Sequence, residues 1–70
     1  MADVRAHITG SIWKVECAVG DSIDVGAEVM IIESMKMEMP VEAETAGTVA
    51  EIRVAEGDSV EEGDVLVVLE

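Results

Sequence analysis

The sequence predicts an all-β domain built from two related halves, and three observations carry that reading. First, the chain repeats itself. Sliding residues 2–33 onto 39–70 without gaps pairs Val4 with Val41, Ala6 with Ala43, Gly10 with Gly47, Val15 with Ile52, Gly20-Asp21-Ser22 with Gly57-Asp58-Ser59, Gly26 with Gly63 and Glu33 with Glu70. Second, apolar and polar residues alternate along the longer segments, which is the period of a half-buried strand. Third, no window holds apolar residues at helical spacing. A unit of this size cannot fold alone, because an isolated small sheet has nothing against which to bury its apolar face. The two copies are therefore expected to pack about a pseudo-dyad and share one core.

Taken in order, each half reads as short strand, Gly, longer alternating strand, Gly-Asp turn, Gly turn and apolar strand. The first strand covers residues 4–8. In the second, alternation places Trp13, Val15 and Cys17 inward with Lys14 and Glu16 outward; its copy places Ala50, Ile52 and Val54 inward with Glu51 and Arg53 outward. The pairs Gly20-Asp21 and Gly57-Asp58 read as turn chemistry, since neither a glycine-rich phosphate loop nor a complete calcium loop surrounds them. Val29-Met30-Ile31-Ile32 and residues 39–43 read as strands, so the chain reverses between them at Lys36. Without Gly or Asn at its centre, that reversal fits a type I turn better than a primed one. A dyad that exchanges the halves also exchanges this junction with the pair of chain ends. The strand at residues 4–8 should then lie beside Val65–Leu69, with both termini far from Lys36.

With 70 residues, the chain allows one domain, residues 1–70, and at that size only about 60% of the unfolded surface is buried on folding. One cysteine, Cys17, excludes an internal disulfide, and with His7 as the single histidine no nitrogen and sulfur ligand set for zinc can be assembled. Cys17 reads as core and His7 lacks triad companions. Acidic residues outnumber basic ones 16 to 4, for a formal charge of −12. That charge repels phosphate backbones and anionic lipid, so neither nucleic acid nor a membrane is expected as a partner. Half of the chain is apolar and patterned, which sets it apart from a disordered acidic tail. The first five residues lack the basic start and apolar core of a signal peptide, and Val65–Leu69 is far below the ~20 residues of a membrane span, so a cytoplasmic location is expected.

The chain's most informative stretch is Glu33-Ser34-Met35-Lys36-Met37-Glu38-Met39-Pro40, which holds one of only two lysines. An exposed lysine on a hairpin is ordinarily a solubilising charge. Solubility alone, however, gives no reason to flank it with Met35 and Met37, since exposed thioethers are adaptable apolar groups that suit a binding surface. This stretch resembles the Met-Lys-Met attachment motif of the biotin carboxyl carrier and biotinyl domain family, and Lys36 falls on its biotin-accepting lysine. The resemblance covers essentially the whole chain, including Gly20-Asp21-Ser22-Ile23 and Ala46-Gly47-Thr48-Val49. The commonest motif of the family has Ala where this chain has Ser34.

That resemblance implies a flattened eight-stranded antiparallel barrel of two quasi-two-fold-related halves, with the modified lysine on an exposed hairpin. It also implies a carrier with no active site of its own. Biotin would be amide-linked to Lys36, with Met35 and Met37 as motif flanks and Glu33, Ser34 and Glu38 as the hairpin context. The implied partners are a biotin protein ligase, which attaches the group, and the biotin carboxylase and carboxyltransferase components between which it moves a carboxyl group; the domain is expected to be a monomer. Two rival readings stay open. A lipoyl carrier would use the same fold and lysine with lipoate as cofactor, although lipoyl domains usually carry Asp-Lys-Ala at this turn. An unmodified interaction module would use the methionine-rich hairpin only to bind a partner.

Overall fold

The computed structural model describes residues 2–70, which form eight strands and no helix. The strands are β1 Ala2–Arg5, β2 Gly10–Val15, β3 Ser22–Ile23, β4 Glu28–Ser34, β5 Met37–Glu42, β6 Gly47–Ile52, β7 Ser59–Val60 and β8 Val65–Leu69. They make two four-stranded antiparallel sheets, β1-β8-β6-β3 and β5-β4-β2-β7. The offset of the sequence repeat carries β1 onto β5, β2 onto β6, β3 onto β7 and β4 onto β8, so one sheet order becomes the other. Each sheet draws two strands from each half of the chain. The halves are interleaved, not stacked.

The symmetry reaches individual irregularities. Pairing slips between Ile12 and Lys14 on β2, and between Val49 and Glu51 on β6, which is its copy. It slips again where β4 meets β5, between Glu28 and Met30, and at the equivalent place where β8 meets β1. Turns of one half are hydrogen-bonded to strands of the other. The amide of Gly20 donates to the carbonyl of Val49 and that of Gly57 to Ile12, each at 2.8 Å. Such contacts make the two copies depend on each other.

The bulge corrects one assignment. Trp13 points outward and is 48% exposed, while Ile12 before it is buried. An extra residue in the ladder resets the alternation by one, so the inward series runs Ile12, then Val15 and Cys17. In the copy, Val49 is buried and Ala50 only half so. Val15, Cys17, Ile52 and Val54 pack partly buried against the core. Burial, followed by the neighbouring Asp21 carboxylate, pushes the Cys17 thiol up.

The first strand also ends earlier than the sequence suggests. β1 stops at Arg5, after which the Ala6 amide donates to the Asp64 backbone carbonyl and the Ala6 carbonyl accepts from the Gly63 amide. The predicted pairing with Val65–Leu69 is present, from Ala2 opposite Leu69 to Arg5 opposite Val65. β3 and β7, two residues each, are too short to show any period in the sequence.

The core consists of aliphatic side chains from both sheets. Ile12, Val29, Met30, Ile32, Val49, Leu66, Val67 and Leu69 are almost wholly buried, each contributing roughly 1.5–3 kcal/mol relative to exposure. No charged side chain is buried among the described residues. Ala2 to Ala6 line a hollow with Glu42, Glu44 and Thr45, which lie at and beyond the end of β5 furthest from Lys36. The N-terminal strand and its partner Leu69 thus sit at the end away from the hairpin.

Candidate functional site

β4 and β5 form the hairpin at the middle of the chain. Six residue pairs join them, from Glu28 opposite Glu42 to Ser34 opposite Met37, which leaves Met35 and Lys36 as a two-residue loop. Both have positive φ, 52° and 64°. This corrects the type I turn expected from composition, because two positive values define type I′. The cause is tertiary: the right-handed twist of two long paired strands is continued by a primed turn and splayed by an ordinary one. The left-handed conformation costs about 1–2 kcal/mol for each residue with a side chain. The hairpin ladder holds both in place.

The turn presents its side chains to water. Met35 is 90% exposed and Met37 62%, and Lys36 is exposed between them. The ion pairs among the described residues join Arg5 to Asp3 and Arg53 to Glu51, and neither involves Lys36. Below the turn, Glu33 and Glu38 face each other across the strands, both exposed, and Ser34 is half-buried. The six residues singled out in the sequence are therefore together, on one tip.

The neighbouring strand approaches this hairpin closely. Ser11 on β2 pairs with Glu33, and a side chain at Gly10 would run into the Glu33 carbonyl oxygen and come within 2.9 Å of Ile32 Cγ2. The copy, Gly47, would place a Cβ 2.8 Å from the carbonyl oxygen of Glu70. Recurrence of this glycine in both halves was a visible signal of close approach. A hollow of about 590 Å³ next to the tip, lined by residues from β2, β4, Met35 and the Ser59–Asp64 region, had no such signal. It forms only when segments distant in sequence meet.

Other candidates lie apart or have structural roles. Asp21 and Asp58 each accept a hydrogen bond at 2.9 Å, from the amides of Ala18 and Ala55, and Gly20 and Gly57 adopt φ of 96° and 94°. These are turn-closing contacts. His7 is exposed and lines a hollow with Arg5, Glu42 and Glu44, at the end away from Lys36.

Two interleaved four-stranded sheets with an exposed lysine on the central hairpin define the class, an all-β domain with a lysine at its hairpin tip. The family model described as "Biotin-requiring enzyme", of the biotin/lipoyl type, matches residues 1–69, and the chain belongs to that family. It is 50% identical to a biotin/lipoyl attachment protein of Bacillus subtilis over 66 residues, covering 94% of this chain and 90% of that protein. It is 43% identical to a Mycobacterium leprae homolog of biotinylated protein TB7.3, covering 96% and 94% of the two chains. Among solved structures, the urea carboxylase of Kluyveromyces lactis matches with a TM-score of 0.92 at 42% identity, over 99% of this chain and 6% of the carboxylase. A single-chain long-chain acyl-CoA carboxylase matches with a TM-score of 0.87 at 29% identity, over 94% and 7%. The chain thus spans only a small part of either carboxylase.

Proposed function

We propose that the protein is a biotin carboxyl carrier whose acceptor is the Lys36 amine. The observation that carries the reading is the placement of an exposed lysine at the tip of a strained two-residue turn, between two exposed methionines. A group destined for covalent modification has to enter another protein's active site, and a primary amine at the apex of a narrow hairpin can do so without the sheets following. The site fits biotin in its chemistry: an exposed primary amine forms an amide with a carboxylic acid side chain.

In attachment, Nζ forms a bond to the acyl carbon of an activated biotin, and the activating group leaves. The amine gives up a proton, and since none of the side-chain hydrogen bonds among the described residues involves Nζ, the ligase supplies the base. Biotin, when bound, supplies a ring that takes up a carboxyl group at one active site and gives it up at another. The chain's own part is to hold the amine outward, to offer Met35 and Met37 as apolar contacts, and to present Glu33 and Glu38 as acidic flanks to an enzyme surface. Tethering makes each transfer intramolecular, at about millimolar effective concentration. Biotin carboxylase and carboxyltransferase components are the partners that this role requires.

Intact mass spectrometry after co-expression with a biotin protein ligase tests the reading. One biotinyl increment is expected on the wild-type protein and none on Lys36→Arg. A lipoyl increment, or no increment at all, would overturn it, and an increment surviving in the variant would move the acceptor to Lys14.

A further inference from the structure

The pseudo-dyad gives this molecule an internal control, because two copies of one frame share what the fold needs. Where they differ, the shared frame does not require the difference. At the hairpin end, the hollow beside Met35 is lined by Thr9, Ser11, Ser59, Glu61 and Asp64, above the bare backbone of Gly10. Carried onto the terminal end by the repeat, Ser11 becomes Thr48, Ser59 becomes Ser22 and Glu61 becomes Asp24, so their polarity persists. Thr9 and Asp64 become Ala46 and Ala27. Two polar groups thus occur only at the end that carries Lys36.

They also shape the hollow. Asp64 Oδ2 accepts from the Glu61 amide at 2.8 Å, and Thr9 Oγ1 accepts from the Glu62 amide at 3.3 Å. The turn from Glu61 to Asp64 is thereby tied to the loop that precedes β2. In the terminal copy, the turn from Asp24 to Ala27 closes with its backbone hydrogen bond at 3.0 Å. An aspartate is therefore not needed for that turn to form.

We propose that the hollow is a resting site for the head group of biotin carried on Lys36, an inference that rests on the carrier reading above. The head group is a neutral bicycle with two ureido N–H donors, a carbonyl acceptor and an apolar thioether edge. The hollow faces it with matching chemistry. Carboxylate oxygens of Glu61 and Asp64 accept from ureido N–H groups, a hydroxyl of Thr9, Ser11 or Ser59 donates to the carbonyl, and the Met35 thioether covers the apolar edge. Because Met35 both lines the hollow and adjoins Lys36, the arm can fold back over its own turn. Its volume of about 590 Å³ leaves room for a group of this size.

The test compares amide spectra of isotopically labelled protein before and after biotinylation, with intact mass confirming the modification. Shifts are expected at Thr9 to Ser11 and at Ser59 to Asp64, far from Lys36 in sequence, together with cross-relaxation between ring protons and these amides. The copies at Ala46 to Thr48 and Ser22 to Ala27 should stay unchanged. In the biotinylated Thr9→Ala/Asp64→Ala variant, which places the terminal half's own residues at the hairpin end, the remote shifts should be lost. Mass gain with shifts confined to Met35 to Met37 would overturn the resting site and leave the carrier reading intact. Remote shifts that persist in the double variant would overturn the assignment to these groups. Absence of mass gain would overturn both.

Discussion

Lys36 is set apart from the other lysine by position. Lys14 projects from a strand inside a sheet, beside a bulge, whereas Lys36 stands at an apex with no ion-pair partner among the described residues. Lys36→Arg keeps the charge but offers no comparable nucleophile, so streptavidin binding should vanish while the melting temperature stays within about 4 °C of wild type, given a surface change below ~0.5 kcal/mol. Glu28 makes a second residue-level case. Its carboxyl is pushed above the ordinary glutamate range by a hydrogen bond with Glu16, then by burial and the charges of Glu16 and Glu42. The sign follows from linkage: the folded state binds this proton more tightly than the unfolded one, so the group opposes folding once pH rises above its folded pKa. That cost disappears as pH falls below the unfolded value. Glu28→Gln should therefore raise the melting temperature at pH 7 and lose its advantage under acid conditions, as thermal scans from pH 3 to 8 would show. A gain that is the same at all pH would mean that charge is not the cause.

At the scale of elements, the hairpin is held in a conformation that its central residues resist. Met35→Asn places a residue tolerant of positive φ at the first central position of the primed turn, and should stabilise the protein by up to about 1 kcal/mol. The same change removes an exposed thioether next to Lys36, so on the proposed carrier role ligase-catalysed biotinylation should slow. Urea midpoints and initial modification rates measure the two effects; a variant that is less stable would show that Met35 packs against the hollow strongly enough to offset its strain. Gly10 is the opposite case, where shape leaves no choice. A Cβ there meets the Glu33 backbone and the Ile32 side chain, so Gly10→Ala should cost at least about 1–3 kcal/mol, the usual range for overpacking. An unchanged urea midpoint would show that β2 and β4 can separate freely.

For the whole molecule, interleaving is the controlling fact. The sheet containing Lys36 takes β2 and β4 from the first half and β5 and β7 from the second. A fragment of residues 1–37 therefore lacks neighbours for strands in both sheets, and so does 38–70. Each alone should show no cooperative unfolding, while an equimolar mixture should recover β-sheet circular dichroism, since the core is made only when both are present. A fragment that folds by itself would mean that one half buries its own apolar face. The extents of 31 × 19 × 18 Å describe an elongated body with the lysine hairpin at one end and the paired Ala2 and Leu69 at the other.

The repeat, the alternation and the glycines determined the all-β class, the dyad, the pairing of Val65–Leu69 with the first strand and the hairpin with Lys36 at its apex. These were legible because each depends on residues near one another in sequence or on a fixed offset along it. The Met-Lys-Met setting likewise lay in adjacent residues. What the tertiary structure alone decided depends on neighbours from elsewhere in the chain. The bulge that turned Trp13 outward is a property of the β2–β4 pairing, not of β2. The positive φ at Met35 and Lys36 is imposed by the twist of two strands on a loop whose composition favours another turn. The hollow beside the hairpin exists because Thr9, Ser11 and Asp64, separated by most of the chain, are brought together by hydrogen bonds between the halves.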